Sequence, residues 1–213
     1  MTLAIDSLQL GPIGTNCYVV RADDGATEAV VVDPGAEAGR VVRLLDRIGA
    51  RCAAILVTHT HYDHIGGVAD LAEATGAPVH APSGEAIVLE EPDGFYAQLG
   101  LAIRPWTAER YLEGGEQLQL AGVDFETLLV PGHSPAHLAF HSGGLLLSGD
   151  VLFAGSVGRT DLPGCSWDAL VESIRRLTDA YPPETVVHPG HGPSTTLGTE
   201  LARNPYLAEL RAS

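Results

Sequence analysis

Apolar residues recur at every second position in some stretches of this chain and at every third or fourth in others, and the two periods follow one another along it. "LAIDSLQL" (3–10) and "CYVVRA" (17–22) read as strands joined by the turn "GPIGTN", with "EAVVVD" (28–33) as a third. "AEAGRVVRLLDRIG" (36–49) gathers its apolar residues on one helical face and closes on glycine, which predicts an amphipathic helix. "CAAILVT" (52–58) reads as a buried strand and "GGVADLAEATG" (66–76) as a helix. Between residues 82 and about 112 the periodicity fails, and the expectation is one short helix within irregular chain. "EQLQL" (116–120) and "VDFETLLV" (123–130) are spaced as a hairpin; "AHLAFHS" (136–142) and "GLLLSGD" (144–150) follow as strands. The helix "SWDALVESIRRLTDAY" (166–181) and the strand "ETVVHPG" (184–190) complete the pattern. No Pro/Ser-rich linker, low-complexity tract or solenoid-length repeat interrupts it.

Four β-type runs end in a histidine or an acid: "ILVTHTHYDH", "LLVPGHSP", "LLLSGD" and "TVVHPGHGP". Strand ends are where loops converge and ligands bind in α/β architectures, so four separate segments deliver ligand-type residues to one kind of place. Taken singly, "HTHYDH" is dense enough to favour a site over a polar loop, whereas His133 and His191 serve equally well as turn residues and Asp150 reads better as a helix cap or turn acid. Their joint occurrence carries the functional reading.

Composition narrows the classes. At 213 residues the length suits one domain with one sizeable core. The apolar share of 45% fits a folded globular protein, and no apolar run approaches the roughly 18 residues of a membrane span. "MTLAIDSLQL" has no basic leader and carries an acid in its apolar stretch, so a cytoplasmic location is expected. Cys17, Cys52 and Cys165 are odd in number and form no CxxC pair, which speaks against a disulfide framework; Cys165 in "LPGCSW" is expected to be the exposed one. A formal net charge of −15 disfavours nucleic acid as a partner. All 12 basic residues are arginine, which removes lysine as base or nucleophile.

His59 and His61, two apart, face the same side of an extended segment, while Asp63 and His64 turn through the adjoining loop. Gly66 and Gly67 let the backbone pass close to the site and open a helix. Neutral imidazole and carboxylate together suit zinc, iron or manganese rather than calcium. With His133, Asp150 and His191 the set numbers seven, too many for one tetrahedral ion and suited to two that share a carboxylate.

"THTHYDHIGG", "PGHSPAH", "LLSGD" and "PGHGP", in that order, resemble the metallo-β-lactamase superfamily over nearly the whole chain, and H-x-H-x-D-H is its highly specific signature. "GSVGRTDLPG" and the closing "TTLGTELARNPYL" look like the glyoxalase II-like hydroxyacylglutathione hydrolases within it, especially the short bacterial forms. The resemblance implies one domain over residues 1–213, an α/β fold of the αβ/βα sandwich type in which two mixed β-sheets are flanked by helices. It implies two divalent metal ions, with zinc expected and iron or manganese as alternatives. His59, His61 and His133 would hold one ion and Asp63, His64 and His191 the other; Asp150 would bridge, with a water or hydroxide as second bridge. Asp63, ligand and neighbour of that nucleophile, is the catalytic residue expected. Asp33 in "VVVDPG", His137 and His188 are candidates to steady the ligands from behind; His80 and His141 are read as structural or surface residues.

Two divalent ions about 3.5–4 Å apart bring a bound water's pKa to near 7 and polarise a carbonyl. A thiolate, from a parent thiol of pKa about 8.5, departs without a dedicated acid, and the motifs offer none, so a thioester is favoured. The resemblance implies hydrolysis of S-lactoylglutathione to D-lactate and glutathione, a small-molecule substrate with no membrane involved. The chain ends soon after "NPYL", without the C-terminal helical domain that supplies glutathione contacts in the long forms. Arg159 matches a basic substrate-contacting position and is the substrate-binding residue expected, while Asp161 stands where the long form has tyrosine; a structural Arg159–Asp161 ion pair is the competing role. A mono-iron persulfide dioxygenase, which shares "GRTD" and would use His59, His133 and Asp150, is the second reading. A lactonase is the third, and a non-catalytic metal-binding module, which predicts a missing ligand, the last.

Overall fold

The computed structural model describes residues 3–208 and 210. β1 (Ala4–Leu10) and β2 (Thr15–Arg21) pair antiparallel, and β3 (Glu28–Val32) continues the antiparallel run. The helix α1 (Ala38–Ile48) then crosses to β4 (Arg51–Leu56), which lies parallel to β3. A single turn, α2 (Tyr62–Ile65), and α3 (Val68–Thr75) lead to β5 (Val79–Pro82). The short helices α4 (Ala86–Glu90) and α5 (Asp93–Tyr96) precede β6 (Arg110–Leu112), which closes a six-stranded sheet in sequential order β1 to β6.

β7 (Gln117–Leu120), β8 (Val123–Leu129), β9 (Leu138–Ser142) and β10 (Leu145–Gly149) form an antiparallel meander. The ribbon β11 (Leu152–Phe153) and β12 (Ser156–Val157) stands apart as its own two-stranded sheet. After α6 (Trp167–Ala180), β13 (Val186–Pro189) joins parallel to β10, and β14 (Thr195–Thr196) takes the edge just before α7 (Leu197–Arg203). The second sheet is thus also six-stranded and mixed, in the order β14-β13-β10-β9-β8-β7.

The layering follows from strand alternation. In β2 and β3, Val19 and Val31 pack against Val41, Leu44 and Leu45 of α1, whereas Val20 and Val30 face the other sheet. There they meet Phe125, Phe140 and Leu147. On the far side, Ala139, Leu146 and Val187 are covered by Leu170, Ile174 and Leu177 of α6 and Leu197 of α7. The central strands β2, β3 and β10 are buried on both faces, which is why they read as unbroken apolar runs, whereas β7 and β8 alternate with exposed residues. Helix, sheet, sheet, helix is the expected αβ/βα sandwich, with two mixed sheets. Gly49, at φ 69°, ends α1 in the left-handed conformation that glycine adopts without strain.

Residues 82–112 depart most from expectation. They hold two short α-helices, two 3₁₀ turns (Ser83–Glu85 and Ala97–Leu99) and β6, where one short helix was expected. β5 and β6 are too short, at 4 and 3 residues, to display a period of two, and "VHAP" carries a proline. No helix among the described residues is long and apolar enough to cross a membrane.

Candidate metal centre

The ligand-type residues lie just beyond the C-terminal ends of β4, β8, β10 and β13. His59 and His61 follow β4, with Asp63 and His64 on the α2 turn; His133 follows β8, Asp150 follows β10 and His191 follows β13. The structure brings all seven together, with one atom from each of His59, His61 and His133 within 4.8 Å of one another. The same spacing holds for Asp63, His64 and His191, and for His59, His64 and Asp150, so the second carboxylate lies between the two groups. Asp150 Oδ2 is 3.5 Å from both His133 Nε2 and His191 Nε2, while Oδ1 is 3.4 Å from His64 Nε2. Asp63 Oδ2 is 3.2 Å from His191 Nε2 and 3.4 Å from His64 Nε2.

Partners behind the rings fix which nitrogen faces the cluster. His133 Nδ1–H donates to the Arg159 carbonyl at 2.9 Å, an oxygen that can only accept, so Nε2 presents its lone pair inward. His64 Nδ1–H donates to Asp33 Oδ2 at 2.9 Å. Thr58 Oγ1 gives its own proton to Asp33 Oδ2 at 2.7 Å and therefore accepts from His59 Nδ1–H at 3.1 Å. Three imidazoles are in this way set in the ligand tautomer by groups outside the cluster. Asp33 makes these contacts from a left-handed φ of 52°, unusual for a residue with a side chain and a local strain that the site retains. His137 accepts from the Asp150 backbone N–H at 3.1 Å and stacks on His59 at 4.5 Å between ring centroids, so it braces two of the candidate ligands. His188 does not: it pairs with Ser194 Oγ and lies edge-on to Tyr18, away from the ligands. His80 is buried in β5, and His141 stacks on Tyr181 in the second sheet.

Glu85 carries a role that its surroundings in the sequence do not announce. Buried to 5% exposure, it accepts from Thr60 N–H and Thr60 Oγ1 with one oxygen and from Ser134 Oγ and Ala136 N–H with the other. Thr60 stands between His59 and His61, and Ser134 follows His133, so one carboxylate ties together the two loops that present the three-histidine group. Tyr96 adds a bond from its hydroxyl to the Thr60 carbonyl at 2.7 Å. Thr15 Oγ1 donates to Asp63 Oδ2 at 2.7 Å, holding that carboxylate toward the cluster. Glu85 and Tyr96 fall in the stretch without periodicity, and Thr15, the first residue of β2, in what the sequence reads as the turn "GPIGTN", which is why none stands out by pattern.

The two halves of the cluster differ electrostatically. Burial pushes the pKa of His59 well below its usual value and that of His61 to about 4, so both stay neutral nitrogen donors. Burial acts the same way on His64, but Asp150 and Asp33 outweigh it and hold its pKa well above the usual value. Burial also opposes protonation of His191, yet Asp150 and Asp63 raise it to about 9. The carboxylates that draw a proton to these two rings would draw a divalent cation to the same lone pairs, with release of the protons.

The chain's own atoms pass the test for such ions. His64 Nε2 and Asp150 Oδ1 are buried without a hydrogen-bond partner, a costly arrangement for polar atoms unless something binds them. A Cβ at residue 190 would collide with Asp150 Oδ1 and His64 Cε1, and only glycine leaves that space open. The nitrogens of His59, His61 and His133 converge at 2.9–3.0 Å, an arrangement that a shared cation would stabilise.

Above the cluster opens a cavity of about 490 Å³, floored by His61, Asp63, His133, Asp150 and His191. Phe153 and Val157 of the β11–β12 ribbon and Arg159 line one side. Arg159 Nε and Nη2 donate to Asp161 Oδ1 and Oδ2 at 2.7 and 2.8 Å, so the cation at the mouth is held by a forked ion pair. Cys17 and Cys52 are buried and Cys165 partly exposed, all unpaired.

The Metallo-beta-lactamase superfamily profile matches residues 10–191. YqgX of Bacillus subtilis, a probable metallo-hydrolase, is 35% identical over 204 residues, 94% of this chain and 95% of its own. The hydroxyacylglutathione hydrolase GloC of Haemophilus influenzae is 34% identical over 197 residues, 90% of this chain and 92% of its own. Among solved structures, TTHA1623 in a di-iron-bound form superposes with a TM-score of 0.85 at 45% identity, over 95% of this chain and all of that one. Architecture, the order of the ligand-bearing loops and these similarities agree: the chain belongs to the metallo-beta-lactamase superfamily.

Proposed function

We propose that the protein is a binuclear metal-dependent thioester hydrolase of the hydroxyacylglutathione hydrolase kind, working as one domain in the cytoplasm. The observation that carries this reading is the cluster itself, seven inward-facing donors in two linked groups at the floor of an open cavity. His59, His61 and His133 would hold one divalent ion and Asp63, His64 and His191 the other, with Asp150 between them. Nitrogen-rich donors suit zinc or iron, and the di-iron form of TTHA1623 supports a paired site. The chemistry supplied by two bound divalent ions is a water acidified to near neutrality and an electrophile for the thioester carbonyl.

The chain's own part is to place and dry those groups. Asp63, steadied by Thr15, and Asp150, anchored through its backbone N–H on His137, offset cation charge and fix the spacing of the two halves. Among the described residues, the cavity lining contains no carboxylic acid besides these two. An amine or alkoxide leaving group would need one, whereas a thiolate does not. Water and thioester thus yield a carboxylic acid and a thiol with no further proton donor. The three unpaired cysteines support a reducing compartment.

Thiol release from S-lactoylglutathione, followed with a chromogenic thiol reagent, tests the reaction. Release by the metal-loaded protein, lost on chelation and restored by metal, is expected. Oxygen uptake with glutathione persulfide and no thiol release from any thioester would overturn it.

A further inference from the structure

The mouth of the cavity differs in chemistry from a site built to grip an anion. Its rim is apolar: Ile13 from the β1–β2 turn, Leu99 from the second 3₁₀ turn and Leu162 from the loop before α6 all line it. Their exposures are 51%, 67% and 36%, so three large side chains that would ordinarily be buried stand in solvent around one opening. Phe153 and Val157 extend the same surface inward toward the ligands. Among the described residues one arginine lines the cavity, Arg159, and its Nε and Nη2 donate to Asp161, whose carboxylate offsets its charge. No lysine exists anywhere in the chain, and the net charge of −15 gives an approaching anion an unfavourable field.

Resting on the thioesterase reading above, we propose that this site selects its substrate by an apolar acyl chain seated against Ile13, Leu99, Leu162 and Phe153. In this arrangement Asp161 offsets the charge of Arg159, so the carboxylates of a glutathione-type thiol gain little at the mouth. The favoured substrate class is therefore an apolar acyl thioester on a thiol whose charge is of no consequence to the mouth. The driving force is the removal of apolar surface from water on both sides, which for each methylene seated strengthens binding about fourfold. Asp161 is the residue that sets the preference. Where its charge is removed, Arg159 presents an unneutralised guanidinium whose fork matches a carboxylate.

Binding of non-hydrolysable thioethers to the metal-loaded protein, measured by calorimetry, tests this without relying on turnover. S-hexyl and S-ethyl derivatives of glutathione and of N-acetylcysteamine form a square in which chain and carrier vary independently. The expected pattern is a gain of at least about tenfold from ethyl to hexyl on either carrier, from four added methylenes partly seated, and less than about threefold between carriers. In Asp161→Asn the ratio of glutathione to N-acetylcysteamine affinity should rise several-fold. A flat response to chain length, or wild-type glutathione derivatives bound about tenfold tighter than their neutral counterparts, would overturn the proposal. Should the chain-length pattern hold while no thioester is turned over, the hydrolase reading fails and the pocket assignment stands.

Discussion

At the floor of the cavity, His59, His64 and His133 each have a partner on the nitrogen turned away from the cluster, and those partners are themselves held. Asp33 bonds Thr58 twice as well as His64, and Glu85 accepts four hydrogen bonds from the two loops. At the mouth, Ile13 and Leu99 stand half or more in solvent, and the polar contact of Arg159 is an exposed ion pair with its neighbour two residues on. The floor is over-determined by buried polar contacts, each costly to lose; the mouth is held by little and presents surface instead. On the proposed function, chemistry that depends on fractions of an ångström would sit where the fold is stiff, and selection among substrates where side chains are exposed and loosely held.

If this contrast is correct, substitutions at the floor should act on turnover and metal content, and substitutions at the mouth on binding alone. The largest effect is expected for Asp63→Ala and Asp150→Ala: loss of kcat by on the order of a thousandfold, together with metal loss visible by elemental analysis. Near-full activity of Asp63→Ala with both metals retained would break the account of the floor.

Next is Gly190→Ala, whose methyl group would push into Asp150 Oδ1 and the His64 ring without adding or removing a charge. A displacement on the scale of an ångström there should cost kcat about a hundredfold, with the circular dichroism spectrum unchanged. Glu85→Gln sharpens the comparison further, since the amide nitrogen would face donors where a carboxylate oxygen accepts. Metal affinity by competition titration should fall about 10- to 100-fold. Tm should drop by several degrees, in keeping with about 2–3 kcal/mol for buried donors left unpaired.

Arg159→Ala should do least. Its pair with Asp161 is fully exposed, so the melt should be unmoved, and KM for S-lactoylglutathione should change less than about twofold at constant kcat. A large rise in KM alone would instead give Arg159 the role of carboxylate grip. A fall in Tm with both constants disturbed would make the pair structural.

The same division governs what could be read from the sequence. The candidate ligands were legible because metal chemistry restricts residue types and spacing: "HTHYDH" carries four donor-type residues in six positions, and strand ends explain His133, Asp150 and His191. The sandwich was legible through the family resemblance; the runs "AVVV" and "LLLS" announced buried strands, and only the structure shows their alternate residues facing different layers. Glu85 was not, because a carboxylate that reaches across the fold to Thr60 and Ser134 leaves no local pattern, and neither β5 nor β6 is long enough to show one. His188 illustrates the converse: close in sequence to His191, it sits on a strand that turns its ring toward Tyr18 instead. The rim was illegible for another reason, since Ile13, Leu99 and Leu162 come from three unrelated loops whose meeting is a property of tertiary structure.

The central claim is a paired metal site held by seven side chains, and anomalous scattering from crystals of protein purified from its own host tests it most directly. Two divalent ions per chain are expected, one contacting His59, His61 and His133, the other Asp63, His64 and His191, with Asp150 touching both. A single iron on His59, His133 and Asp150, with His61, Asp63, His64 and His191 unligated, would contradict it.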